Sequence, residues 1–565
     1  MELDEREEYP EEEIRLLNDW TFHHYYVPRA LGGKLESYEE LLALTRVISR
    51  RDVTVAAAHG VTYLGASFVW TAGDDAQKRA VADWLLRQKQ MAAGFHEEAH
   101  GSDLLAGQVV ALPEADGYRL SGEKWAIGNA QHCHAMTVFA RTDSRGGPRG
   151  FSLFLVDKEA VAGGWTCLPK ILTHGIRGHE ISGIRFENCR LAAGALLGSL
   201  GGGLELALKS SNITRTLAPA LSLGAGDTAL RATLDFALTR RLYGDSVFTL
   251  PHARRTLVRA FLDLLIGDCV TTAAARGLHV FPEQMSVASN VAKSFVPPLI
   301  EKMVHDLSIV LGARHYLREG HWHGIFQKIL RDCVAARLMH FSSIISASQL
   351  GTQLHELVRY RSEANRAAET IASLEAVFSY ASPLPPCETE RFELFARGRD
   401  DVVQGLEIAQ RLIAALAPRL EGERRTQEAA LASIPLLLDE IARQREELDR
   451  LERESRPTIG SSAEVIRLSQ RYAIVFAAAA CLHTWLQNRD QTADEFLRAG
   501  LWLRLSLSRL IDRLERRTGV ADDQGQDKVA QEMVRRHRDG QSFGIVPIEL
   551  AGTDVGRVSE PSGFP

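Results

Sequence analysis

Few stretches of this chain combine residue types that could do chemistry. The densest is Gly94-Phe95-His96-Glu97-Glu98-Ala99-His100-Gly101-Ser102-Asp103, a compact polar loop rich in hydrogen-bonding groups and in glycine. After a turn at Asp116-Gly117 comes a second stretch, Ser121-Gly122-Glu123-Lys124-Trp125-Ala126-Ile127-Gly128-Asn129. The runs between them, Val109–Leu112 and Tyr118–Leu120, read as hairpin strands. His340 stands alone among apolar Leu338, Met339 and Ile344. A neutral imidazole, with an unperturbed pKa of ~6.5, is a competent general base, and space-filling is its other reading. The remaining candidates are weaker. Gly198 to Gly203 is glycine-rich before a helix but is not a strand-led GxGxxG fingerprint. His315, His321 and His323, beside Tyr316 and Trp322, fit no zinc spacing and read as surface histidines on a helix connection. Cys133, between His132 and His134, lacks the partner pattern of a nucleophile.

The elements that must position these residues follow from composition and periodicity. At 565 residues the chain is too long for one core, and its length suggests three or four domains. A net charge of −6 gives no reason to expect nucleic acid or a membrane surface as partner. Seven scattered cysteines, never spaced CxxC, fit reduced thiols better than a disulfide framework or a zinc site. The acidic N-terminus is the opposite of a signal peptide. The most apolar run, Tyr472 to Leu482, is shorter than the ~20 residues of a membrane span. The expectation is a cytoplasmic protein with no membrane span.

Four regions differ in pattern. Residues 1–90 are helical, with amphipathic spacing over Glu39–Arg50 and Ala76–Met91. Residues 91–203 form a small β barrel or sandwich, with further strands over 135–140, 150–156 and 183–186. Residues 204–355 read as a four-helix bundle: 204–242, interrupted only by Pro219, then 251–278, 291–312 and 325–348. Residues 356–565 are additional helices. They begin with a Pro-rich linker at 381–386, include the charged helix 443–453 and the apolar 463–485 and 496–516, and end in a loosely ordered tail after 519.

This order resembles the acyl-CoA dehydrogenase superfamily. Glu97 to Asp103 resembles the family's TEPxxGSD loop, and Gly122 to Asn129 its G-x-K-x-W-I-T-N segment. Lys170, His174 to Gly178 and Gly183 to Phe186 are similar to its K-x-G-I-R stretch. Arg240 to Gly244 resembles R-x-x-F-G, while Leu311-Gly312-Ala313 and Leu330-Arg331-Asp332 resemble its late landmarks. The resemblance implies a mainly α protein with a small β domain, binding FAD and desaturating an acyl thioester of CoA or a carrier protein. His96, Gly101, Ser102, Ile127, Gly128 and Asn129 would face the isoalloxazine. Arg240 would take the pyrophosphate, with Tyr243, Gly312 and Ser342 completing the cofactor set. It further implies a homodimer or homotetramer and an electron acceptor, either an electron-transfer flavoprotein or oxygen.

The usual catalytic glutamate positions are Thr214 and His340 here, so His340 is the expected base. The threonine of TEP is His96, the tryptophan and threonine of W-I-T-N are Ala126 and Gly128, and the second glycine of the G-G landmark is Ala313. Two other readings stand beside the dehydrogenase. One is a flavin-dependent monooxygenase or oxidase on the same fold, with His96 and His340 near the flavin. The other is a non-catalytic homologue acting as a binding or assembly protein.

Overall fold

The computed structural model describes residues 1–161, 163–339, 341–360, 366–418, 420–454, 462–517 and 523–551. Three helices dominate the N-terminal domain: Tyr38–Arg51, Val53–Ala72 and Asp75–Leu86. Ser37 caps the first by accepting from the Glu39 and Glu40 N–H groups. Asp52 ends that helix and caps the second at Thr54 N (2.7 Å), and Asp74 with Gln77 forms a capping box on the third. Val53–Ala72 escapes the periodicity reading because nearly every position is buried, leaving no polar face to mark a 3.6 period.

Residues 91–197 form an eight-stranded sheet among the described residues. Its order is Trp165–Cys167, Ile181–Ala192, Gly117–Gly128, Val110–Glu114, Ala135–Arg141, Phe151–Asp157, Leu196–Leu197. Met91–Gly94 pairs in parallel with Ala135–Arg141. The expected strands all occur, and Gly117–Gly128 runs far beyond Leu120 along Ile181–Ala192, with register shifts at 120–122 and 124–127.

The bundle has more helices than the four expected. Pro219 divides the first into Gly203–Leu217 and Pro219–Thr239. Pro251–Val280 and Met285–Leu311 follow. The last divides into Ile325–Leu338 and Ser343–Arg359, with Phe341 between them at φ 61°. A left-handed aromatic residue cannot continue a right-handed helix.

The extension is built onto this frame. Ala463–Asn488 packs on Pro251–Val280, Ser343–Arg359 and Leu501–Glu515. Arg509 clamps Asp263 bidentately at 2.6 and 2.5 Å. By length and composition alone, Val53–Ala72 and Ala463–Asn488 could cross a membrane. Here 83% and 72% of their apolar windows are buried in the fold, so both serve as core helices.

The tail expected to be loosely ordered after 519 is a docked element over 523–551. Asp523–Arg538 is a helix, and the residues after it lie across the bundle. Phe543 N–H donates to Asp227 (2.7 Å) and Ile545 N–H to Asp268 (2.6 Å). These two buried carboxylates also pair with Arg50 and Arg46 of the N-terminal domain. Residues 552–565 lie outside the described residues. Composition suggests disorder here because the docking partners are buried acids more than 270 residues away. Ile545 is buried, so Ile545→Ala is expected to cost about 2 kcal/mol, read as a lower urea midpoint at unchanged slope.

Candidate functional site

The polar loop is fixed by one buried ion pair. Lys124 Nζ lies 2.8 Å from Glu97 Oε1 and also donates to Phe95 O at 3.1 Å. Glu97 accepts from the N–H groups of Gln108 (2.6 Å) and Val109 (3.1 Å). Burial alone would raise the Glu97 carboxyl, but Lys124 and these N–H groups hold it below the usual glutamate value. The loop carbonyl of His96 accepts from Trp125 N–H at 2.9 Å. Burial, then Lys124, lowers the His96 imidazole, which is neutral near pH 7. Gly101 has φ 52°, and a Cβ there would meet nothing within 4 Å. Gly101 and Ser102 are therefore presented outward.

The second stretch turns inward. Ile127 is a core residue of the β domain. Asn129, fully buried at φ 55°, donates to Ala58 O (2.6 Å) and Gln90 Oε1 (3.1 Å). Gly128 is needed because a Cβ would lie 2.6 Å from His179 Nε2 and 3.0 Å from Val61 Cγ2. Burial pushes His179 down to about 3, so it packs as a neutral ring. The family's threonine has no room at this position.

Val61 leads to the cavity. A space of about 110 Å³ lies between Val53–Ala72, Tyr38–Arg51 and the start of the bundle. Gly60, Val61 and Tyr63 line one side, Thr214 and Leu221 another, and Met339 a third. Thr214 occupies one family base position, and Met339 directly precedes the other. His340 itself lies outside the described residues. The Thr214 hydroxyl donates to Ser211 O (3.3 Å), and among the described residues no carboxylate lines the cavity.

Two buried cations flank this wall. Lys293 donates to the carbonyls of Ala336 (2.6 Å) and Met339 (2.7 Å), capping the end of Ile325–Leu338. Burial, then Arg215, pushes its amine down to about 7. Arg215 is buried over the Phe341 ring at 4.7 Å, and burial lowers it to about 9. The Arg331-Asp332 landmark is a tether: Asp332 accepts from Ile176 N–H (2.6 Å), and Arg331 pairs with Asp4 (2.6 Å).

The other expected cofactor residues lie apart from the cavity lining. Arg240 follows the helix Pro219–Thr239, and Arg240 and Tyr243 are exposed, Tyr243 almost completely. Gly312 follows Met285–Leu311 at φ 58°. Ser342 caps Ser343–Arg359 through Ile345 N–H (3.4 Å). His315 and His321 bond to the carbonyls of Gly312 and Ala232, as suits a helix connection. Burial pushes the Cys133 thiol up to about 12, which suits packing rather than nucleophilic attack. The metal-like cluster among the described residues, His355, Asp449 and Glu452, already holds Arg359 between its acids. Gly60, Val61 and Tyr63 are missing from the sequence reading because their helix showed no periodicity.

A helical domain and a bundle that close on one cavity, with a β domain between them in the chain, give a three-domain architecture. Family models for the N-terminal, middle and C-terminal domains of acyl-CoA dehydrogenase match residues 1–89, 92–189 and 201–351. The chain belongs to the acyl-CoA dehydrogenase family. It is 27% identical over 317 residues to the Mycobacterium tuberculosis protein named Probable acyl-CoA dehydrogenase FadE25, covering 56% of this chain and 81% of that one. It is 29% identical over 322 residues to the human mitochondrial short-chain specific acyl-CoA dehydrogenase, covering 56% and 77%. Among solved structures, the Bacillus anthracis acyl-CoA dehydrogenase complexed with FAD aligns with TM-score 0.69 at 15% identity, covering 94% of this chain and 90% of that one. That likeness includes the fold of the extension.

Proposed function

We propose that this chain is an FAD-dependent acyl-thioester dehydrogenase that introduces an α,β double bond. The observation carrying this reading is that Thr214 and Met339, at and beside the two sequence positions that the family uses for its base, line one apolar cavity, whose Val61 packs beside Gly128. The residues around the loop suit a flavin. His100 Nε2 is a buried polar atom with no partner in the fold, and Gly101 leaves open space at the loop surface. FAD, when bound, supplies the acceptor for the hydride leaving the β-carbon.

The chain's own share is positioning, exclusion of water and removal of the α-proton. The cavity takes the acyl tail and so presents the reacting carbons toward Met339. His340 accepts the α-proton as neutral imidazole. Exposed Arg240 and Tyr243 suit contact with the pyrophosphate of a second subunit, which makes the working unit a homo-oligomer. CoA or a carrier protein delivers the acyl group, and an electron-transfer flavoprotein or oxygen reoxidises the cofactor.

The purified protein is expected to be yellow, to release FAD on denaturation, and to bleach anaerobically on adding an acyl thioester. A colourless protein that cannot be reconstituted with FAD would remove this reading. Arg240→Gln is expected to weaken FAD retention about tenfold, the loss of one charge-assisted contact, measured by FAD titration of the apoprotein.

A further inference from the structure

We propose that Lys293 is a positioning residue for proton removal: it clamps both ends of the break between Ile325–Leu338 and Ser343–Arg359, and so fixes the backbone on either side of position 340. The inference rests on the function proposed above and goes beyond it by giving a role to a side chain outside the cavity lining.

Two features of this break run against the ordinary way of ending a helix. A helix that stops is commonly followed by glycine, which takes a left-handed conformation without a Cβ penalty. Here the left-handed residue is Phe341, at φ 61°, where an aromatic side chain is strained. The second feature is Lys293 itself. It lies within the helix Met285–Leu311 and is 0% exposed, and among the described residues no carboxylate pairs with it. Taking an amine out of water only to cap a neighbouring helix is costly, since solvent or a glycine turn would serve a simple chain end.

Lys293 reaches the break from both sides. Its Nζ donates to the carbonyls of Ala336 (2.6 Å) and Met339 (2.7 Å), before the turn. Its own carbonyl accepts from Ser343 Oγ (2.8 Å), after the turn. Between these ends the Arg215 guanidinium lies 4.7 Å over the Phe341 ring. Burial, then Arg215, pushes the Lys293 amine down to about 7, but a neutral amine still has two N–H groups for two carbonyls. The clamp therefore holds in either charge state. Backbone strain persists only where the surroundings over-determine it, and it gathers at sites whose geometry the function needs fixed. Met339 puts one end of this strained turn in the cavity wall, beside Thr214. A misplacement of about 1 Å in such a wall costs about 10²-fold in rate.

The test measures anaerobic flavin reduction and thioester Kd in the holoenzyme, with the fastest of butanoyl-, octanoyl- and hexadecanoyl-CoA as probe. Lys293→Met keeps the apolar stem and removes the donors. It is expected to slow reduction about 10²-fold while Kd stays within about twofold. Added to His340→Ala, it should slow reduction no further than about twofold, because a residue that acts through position 340 has nothing left to position. A merely structural role would leave the two losses multiplying. Should Lys293→Met unfold or lose FAD, Ser343→Ala decides. It removes only the bond to the Lys293 carbonyl and should slow reduction about fivefold at unchanged Kd. Reduction at the wild-type rate in these variants, or losses that multiply in full with that of His340→Ala, overturns the inference and leaves the dehydrogenase reading intact. A wild-type flavin bleached by none of the three thioesters overturns both.

Discussion

His340→Ala is expected to slow anaerobic flavin reduction by an acyl thioester about 10²- to 10⁴-fold, the usual worth of a positioned general base. Thioester binding should change little, because the tail is held by the apolar wall. Among the described residues no carboxylate lines the cavity, and the Thr214 hydroxyl is already a donor to Ser211 O. A base is required, and of the two sequence positions that the family uses for it, Thr214 and His340, only His340 has a side chain basic near neutral pH. The rate should rise with pH as the imidazole loses its proton. Lys293, pushed down to about 7 and bonded to Met339 O, titrates in the same window. A wild-type profile therefore does not separate the two groups. His340→Glu does. It restores the family's usual base and should retain reduction, with the acid limb moving toward a carboxylate value of ~4.3. If alanine reduces as fast as wild type, or glutamate leaves the acid limb where it was, His340 has no part in proton removal.

The parts of the fold that are readable in the sequence are those with a solvent face or with polar turns at their ends. Tyr38–Arg51 shows its period through a polar face, while the strands 135–141 and 151–157, buried along nearly their whole length, stand out as short apolar runs between turn residues. Val53–Ala72 is covered on all sides and left no such mark, which hid Gly60, Val61 and Tyr63 and with them the cavity wall. The break at 338–343 was also hidden, since nothing local signals that Phe341 takes a left-handed conformation. The motifs were legible as strings, but several of their roles were not. Asp332 looked like a landmark of the bundle and is a tether to the loop at Ile176, 156 residues away. Gly128 looked like a cofactor-facing position and is the place where His179 packs. Pairings of this kind depend on which elements meet in space, and no local spacing records them.

Lys124→Met is expected to destabilise the protein by about 3 kcal/mol or more at pH 7, because it leaves the Glu97 carboxylate buried beside an apolar chain. The side chains are 1% and 9% exposed, so water cannot replace the lost cation. Two backbone N–H groups, from Gln108 and Val109, would remain as the only compensation. Combining Lys124→Met with Glu97→Gln should recover part of the loss, since glutamine still accepts a backbone hydrogen bond and carries no charge to desolvate. The pH dependence gives a sharper test. In the wild type the folded-state Glu97 pKa lies below its unfolded value, so its stabilisation is full above that value and is lost as pH falls through the folded pKa. Without Lys124, burial dominates and the folded pKa rises above the unfolded value, so the penalty is greatest at neutral pH and fades as the carboxyl protonates. The stability gap between wild type and Lys124→Met should therefore shrink on going from pH 7 to below about 4.5, measured by urea unfolding. A gap that is absent at pH 7, or that widens in acid, is incompatible with a charged pair holding this loop. Because the same pair sets the loop that carries His96, Gly101 and Ser102, the variant should also lose FAD more readily than Arg240→Gln does, through disorder of the loop rather than loss of one contact.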